Sequence, residues 1–184
     1  MLSRRNLLKS GGPLLAGLIS PSLIGKTIAA PKNHIIKMES NEDGAKVWFD
    51  PIGLFIKPGD SVKWIIKNNV HTVTSYHPDN ENHALRMPHE AKSWNSGYLV
   101  EPGDSFEITL DVPGVYDYYC EPHEEAGMVG RIVVGQISGP GAQSFDYFKK
   151  TIPATNWQTV PDEARAMFPE ARMVMDQKIV RLGD

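Results

Sequence analysis

The chain has 184 residues, room for one domain of ordinary size and a tail. Hydrophobic residues make up 41% and charged residues 22%, a balance that excludes wholesale disorder, and 16 Gly and 14 Pro favour a chain rich in turns and strands. The formal net charge is −3 and there is one cysteine, Cys120, so no internal disulfide can form.

The first thirty residues differ from the rest. "SRRNLLK" (3–9) leads into a modest apolar, Gly-containing stretch and then "TIAAP", the marks of a twin-arginine export signal rather than a merely basic N-terminus. Lys26, Pro13 and Pro21 interrupt the apolar run, which argues against a membrane span that persists after signal removal. Cleavage is expected after Ala29 or Ala30, giving a periplasmic or otherwise extracytoplasmic protein. Arg4, Arg5, Lys9 and Lys26 leave with the signal, so 15 of the 19 basic residues face 22 acidic ones and the net charge falls to near −7. No nucleic-acid partner fits that balance. A lone thiol in an oxidising compartment is a buried small hydrophobe, a hazard or a ligand shielded by a metal.

Residues 31–135 read as one β domain. "HIIKM", "KVWF", "GLFI", "SVKWIIK", "HTVTSY", "SFEITLDV", "VYDYYC" and "GRIVVG" are credible strands, separated by the Pro-Gly turns "KPGD", "EPGD" and "VPG". Phe106, Ile108, Leu110 and Val112 alternate with polar neighbours, as on a sheet with one buried face. About eight strands in roughly a hundred residues predict an all-β, Greek-key β-sandwich. Tyr116, Tyr118 and Cys120 share one face of their strand and Tyr119 takes the other, so the thiol is expected to point inward at the strand's end.

Residues 75–96 break the rhythm. This polar stretch carries His77, His83 and His89 and is expected to be a solvated loop with a helical turn at "PHEAKSW". Residues 136–184 form a linker, "GQISGPGAQS", and a helical C-terminal extension. In the latter Met167, Ala171, Val174 and Lys178 recur at helical spacing, with Pro169 as a kink or break.

"YYCEPHEEAGMVG" (118–130) carries the chemistry. It sets Cys120, His123 and Met128 within nine residues, where a strand breaks into a loop containing Pro and Gly. Thiolate and neutral imidazole are good copper ligands, and a thioether adds a soft, weak contact; two His and one Cys with a long axial Met is the blue-copper arrangement. Singly, each residue reads as ordinary packing, but packing has no reason to demand C-x-x-H-x-x-x-x-M. A further ligand must come from elsewhere, and His71, opening "HTVTSY", is the best placed.

With "IKPGDSVKW", "EPGDSF", "YDYYC" and "GMVGRIVV" around it, the pattern His71…Cys120-x-x-His123-x-x-x-x-Met128 resembles the cupredoxins, in particular the plastocyanin, pseudoazurin and halocyanin group, from about Ile35 to Gly135. The resemblance implies one type 1 copper ion, with His71, Cys120 and His123 as strong ligands and Met128 axial. It also implies one-electron transfer by cycling between Cu(II) and Cu(I), with His123 as the exit. Glu121, Glu124 and Glu125 flank that exit, which predicts a redox partner with a basic docking face. Thr72 departs from the family pattern, where Asn often follows the first His. The histidine-bearing loop and the long tail also lie outside the small-carrier pattern. They leave two other functions open: a mononuclear copper enzyme acting on a small molecule such as nitric oxide through the loop histidines, or a copper-trafficking protein using Met87, Met167, Met173 and Met175.

Overall fold

The computed structural model describes residues 30–151 and 156–183. Residues 1–29 of the expected export signal lie outside them. Among the described residues the strands are β1 (Asn33–Ser40), β2 (Val47–Asp50), β3 (Gly53–Ile56), β4 (Asp60–Ile66), β5 (Thr74–Ser75), β6 (Ser105–Leu110), β7 (Gly114–Tyr119), β8 (Val129–Val134) and β9 (Ile179–Val180). They form two sheets, ordered β2-β1-β4-β6 and β5-β7-β8-β3-β9. β1 runs parallel to β4 and β3 parallel to β8, while every other named pairing is antiparallel. The two packed sheets are the β-sandwich the strand pattern predicts.

Alternation in the sequence becomes alternation in burial. In β4, Val62, Trp64 and Ile66 point inward while Ser61, Lys63 and Ile65 sit nearer solvent. Trp64 meets Tyr118 edge-on across the sandwich at 5.3 Å, and Phe49 meets the same ring at 4.8 Å. Burying an apolar side chain such as Phe49 stabilises the fold by about 1.5–3 kcal/mol. Gly130 makes this packing possible, since a Cβ there would lie 2.3 Å from the Tyr118 ring.

The C-terminal extension docks on the outer face of the second sheet. Pro169 separates α2 (Asp162–Met167) from α3 (Ala171–Gln177), and a short α1 (Tyr147–Thr151) precedes them. Ala171 and Val174 of α3 pack with Val115, Val133 and Ile52, while Ala164 of α2 joins Tyr119, Val129 and Val160. The helical reading of the tail stops short of its end: Ile179–Val180 form β9, which pairs antiparallel with Gly53–Leu54. Residues expected to link domains are packed as well, with Pro140 and Gly141 buried against β7. Among the described residues no helix is long and apolar enough to cross a membrane.

One further expectation changes. "HTVTSY" gives only a two-residue strand, because His71 instead bridges to Leu99 in both directions, at 3.1 and 2.8 Å. "PHEAKSW" makes a single turn, closed by Ala91 N to Pro88 O at 3.1 Å.

Candidate metal centre

Antiparallel pairing of Thr74 with Tyr119 and Ser75 with Tyr118 sets the residues before β5 opposite those after β7. His71 and Cys120, 49 residues apart, therefore meet at one end of the sandwich. Beyond Cys120 the chain makes a 3₁₀ turn over Glu121–Ala126 with Pro122 in its first positions. Gly127 then reverses it with a left-handed φ of 81°, a conformation open to glycine. The loop is laced by its own backbone. His123 N donates to Cys120 O, Met128 N to His123 O and Cys120 N to Met128 O, all at 3.0 Å.

The three donor atoms, one each from His71, Cys120 and His123, all lie within 4.8 Å of one another. Cys120 Sγ is 3.6 Å from His71 Nδ1 and 3.3 Å from His123 Nδ1. Met128 lies beside them, fully buried in the core that also holds Cys120. His71 is buried as well, and His123 is partly exposed.

Burial pushes the Cys120 thiol up to about 12. Burial, with His123 adding to it and the Asn68 carbonyl opposing, brings His71 down to about 4, and burial lowers His123 too. Neutral imidazoles with free lone pairs are what a metal requires, and a cation between them would offset the cost of the buried thiolate. The spacing fits. With zinc's bond lengths as a guide, about 2.3 Å to sulfur and about 2.0 Å to nitrogen, ligand atoms on one ion stand roughly 3.3–3.8 Å apart. The soft sulfur with two imidazoles suits copper.

Thr72, the departure from the family pattern, ties the two ligand segments together. Its backbone N–H donates to Cys120 Sγ at 3.3 Å, and its hydroxyl accepts from Glu121 N at 2.8 Å. Thr74 and Asn95 then hold the Glu121 carboxylate, at 3.3 and 2.5 Å. Partners of this kind fix ligand orientation, and here a threonine supplies two of them.

The loop histidines do not gather. Among the described residues, the single cluster of three or more His, Cys, Asp or Glu side chains able to hold a metal is His71, Cys120 and His123. His77 lies 3.2 Å from Asp79, and His89 is exposed. His83 overturns the solvated-loop expectation. It is buried, stacks on Tyr119 at 4.6 Å and faces Glu124 at 3.1 Å. Glu124 is correspondingly turned inward, leaving Glu121 and Glu125 as the loop carboxylates with solvent exposure. Met87 is core, whereas Met173 is exposed on α3.

Sequence reading passed over Arg86, Arg131 and Asp117. Asp117 lies on the outer face of β7, fully buried. It accepts from Arg131 Nε at 2.7 Å, Arg131 Nη2 at 2.9 Å and Arg86 Nε at 3.1 Å. The two guanidinium groups also donate to carbonyls of Pro140, Gly141, Gln143 and Pro169. These bonds pin the extension to the sheet behind the metal centre.

Residues 36–135 match the family described as copper binding proteins, plastocyanin/azurin family. Plastocyanin from Synechococcus sp. (strain JA-2-3B'a(2-13)) is 38% identical over 128 residues, covering 67% of this chain and 84% of that protein. The chloroplastic plastocyanin of Hordeum vulgare is 36% identical over 95 residues, 50% of this chain, and is spanned over 57% of its own length. A pseudoazurin structure from Sinorhizobium meliltoi superposes with a TM-score of 0.51 at 24% identity, over 74% of this chain and 90% of that one, a likeness of fold. The chain belongs to the plastocyanin/azurin family of copper binding proteins.

Proposed function

We propose that this is an exported type 1 copper protein that carries single electrons between redox partners, and that His71, Cys120, His123 and Met128 would hold the ion, the first three as its strong ligands. The observation that carries the reading is the convergence of His71 Nδ1, Cys120 Sγ and His123 Nδ1 from two distant segments. Copper bound there supplies the one-electron Cu(II)/Cu(I) couple. The protein's own part is to hold thiolate, imidazoles and thioether still, so that little rearranges when charge changes. Tyr118, Val129 and Ile132, all buried, pack the strands that carry the ligand loop, and close packing resists displacement. Cys120 is sealed from water, which protects the sulfur from oxidation.

His123 is the ligand nearest solvent and is read as the electron's exit. Exposed Glu125 and half-exposed Glu121 beside it, with Glu163 of the adjoining α2, favour a partner with a basic face, whose association weakens as salt rises. Export is supported by the twin arginines Arg4 and Arg5 and the small residues before Pro31. Residues 1–30 are proposed as the signal, 31–135 as the copper domain and 136–184 as its extension.

Metal analysis with visible and paramagnetic resonance spectra of the copper-loaded protein tests the assignment. One copper per chain and an intense visible thiolate-to-copper band are expected. Cys120→Ser abolishes that band while leaving a folded sandwich; colour that survives this change sinks the ligand assignment.

A further inference from the structure

Glu124 follows His123 directly on the ligand loop, yet its side chain is only 12% exposed. Tyr76 donates its hydroxyl to Glu124 Oε1 at 2.6 Å, and His83 Nε2 lies 3.1 Å from Oε2. His83 Nδ1 is 2.9 Å from the Asn80 carbonyl and 3.2 Å from the Tyr119 hydroxyl, so both ring nitrogens are engaged. The Tyr119 ring, one residue before Cys120, lies against both partners, 4.5 Å from Tyr76 and 4.6 Å from His83.

The C-terminal segment fixes His83 in turn. Gln158 N donates to Asn82 O at 2.8 Å, Ala84 N donates to Gln158 O at 3.0 Å, and Asn82 Nδ2 donates to Asn156 O at 2.8 Å. At the loop's other end α2 seats on Gly127, where a Cβ would stand 2.8 Å from Met167 Cγ. Neither contact involves a residue proposed to touch copper, and both bear on the segment between His123 and Met128.

We infer that Tyr76 and His83 are positioning residues for the metal centre: by clamping Glu124, with α2 resting on Gly127, they hold the His123–Met128 loop in its ligating shape before a metal arrives. The inference rests on the ligand assignment proposed above. Hydrogen bonds to a carboxylate in a nearly dry setting are among the stronger ones, and two of them converge on a group adjacent to a ligand. A loop fixed in advance loses little freedom on binding and reorganises little on reduction.

The test uses Tyr76→Phe, His83→Gln and the double variant in the full chain. In the metal-free protein, amide hydrogen exchange over 121–128, where His123, Gly127 and Met128 donate within the loop, is expected to quicken about tenfold or more, while exchange in β4 stays as in wild type. In the copper-loaded protein the visible band ratio and the reduction potential are expected to shift. Folded variants with unchanged loop exchange overturn the inference. Faster exchange with unchanged spectrum and potential also overturns it, because the contact is then merely structural. Should the double variant fail to fold, Tyr76→Phe, which removes one hydroxyl and keeps the ring, decides alone. A wild-type protein without the thiolate-to-copper band defeats the ligand assignment itself, a result distinct from a coloured wild type with indistinguishable variants.

Discussion

Strands β6 and β7 are neighbours in sequence and opposite in environment. In β6, at the edge of its sheet, Ser105, Glu107 and Thr109 are exposed while Phe106 and Ile108 are half-buried and Leu110 is buried. In β7 every residue from Gly114 to Tyr119 is buried. One face of β7 meets the sandwich core through Tyr116 and Tyr118; the other meets the extension through Val115, Asp117 and Tyr119. The extension thus converts a solvent face into a second interior. A polar group on that face then needs partners of its own, which is why Asp117 sits between two arginines.

The largest effect expected from this contrast is at Asp117. Asp117→Ala leaves the Arg86 and Arg131 charges buried without their carboxylate and should cost about 3–5 kcal/mol in a denaturant titration. A loss under about 1 kcal/mol would mean that the outer face of β7 is wetter than its burial implies.

His83, packed on the same face, sharpens the comparison through pH. Burial opposes its charge, but Glu124 and the Asn80 carbonyl outweigh burial and raise its pKa above the ordinary value of about 6.5. A raised folded-state pKa contributes stability that is fully present below about pH 6.5 and is lost as pH rises through the folded value. His83→Gln should therefore destabilise more at about pH 6 than at about pH 9. An equal gap at both would show that His83 acts by packing alone. The smallest effect belongs to β6. Glu107→Ala, on an exposed position, should change stability by no more than about 0.5 kcal/mol, and a larger loss would mean that this face is covered in solution.

What could be read in advance divides along the same line. β6 announces itself by alternation, because its two faces have different solvents, and β4 does so for the same reason. Cys120, His123 and Met128 were legible because their spacing serves no packing purpose, and His71 because it precedes a strand able to pair beside β7. The burial of His83 was not legible, since it depends on residues 156–158 returning across the 81–84 loop. Nor was β9, whose two residues gain their hydrogen bonds only from β3. One signal for the covered face was present. Asp117 lies amid apolar and aromatic neighbours in "VYDYYC" and Arg131 does likewise in "GRIVV", and the strand register sets them side by side. A lone acid and a lone base in adjoining apolar strands indicate a buried pair.

β9 has a consequence for colloidal behaviour. Ile52 N donates to Val180 O at 3.0 Å and Phe55 N to Lys178 O at 2.8 Å, so the last turns of the chain satisfy the free margin of β3. A molecule clipped before Lys178 would present that margin, Gly53–Ile56 with its apolar side chains, to other molecules as a template for strand addition. Ile179 and Val180 thus occupy a sheet margin that would otherwise be open to strand addition, a task separate from anything done at the copper.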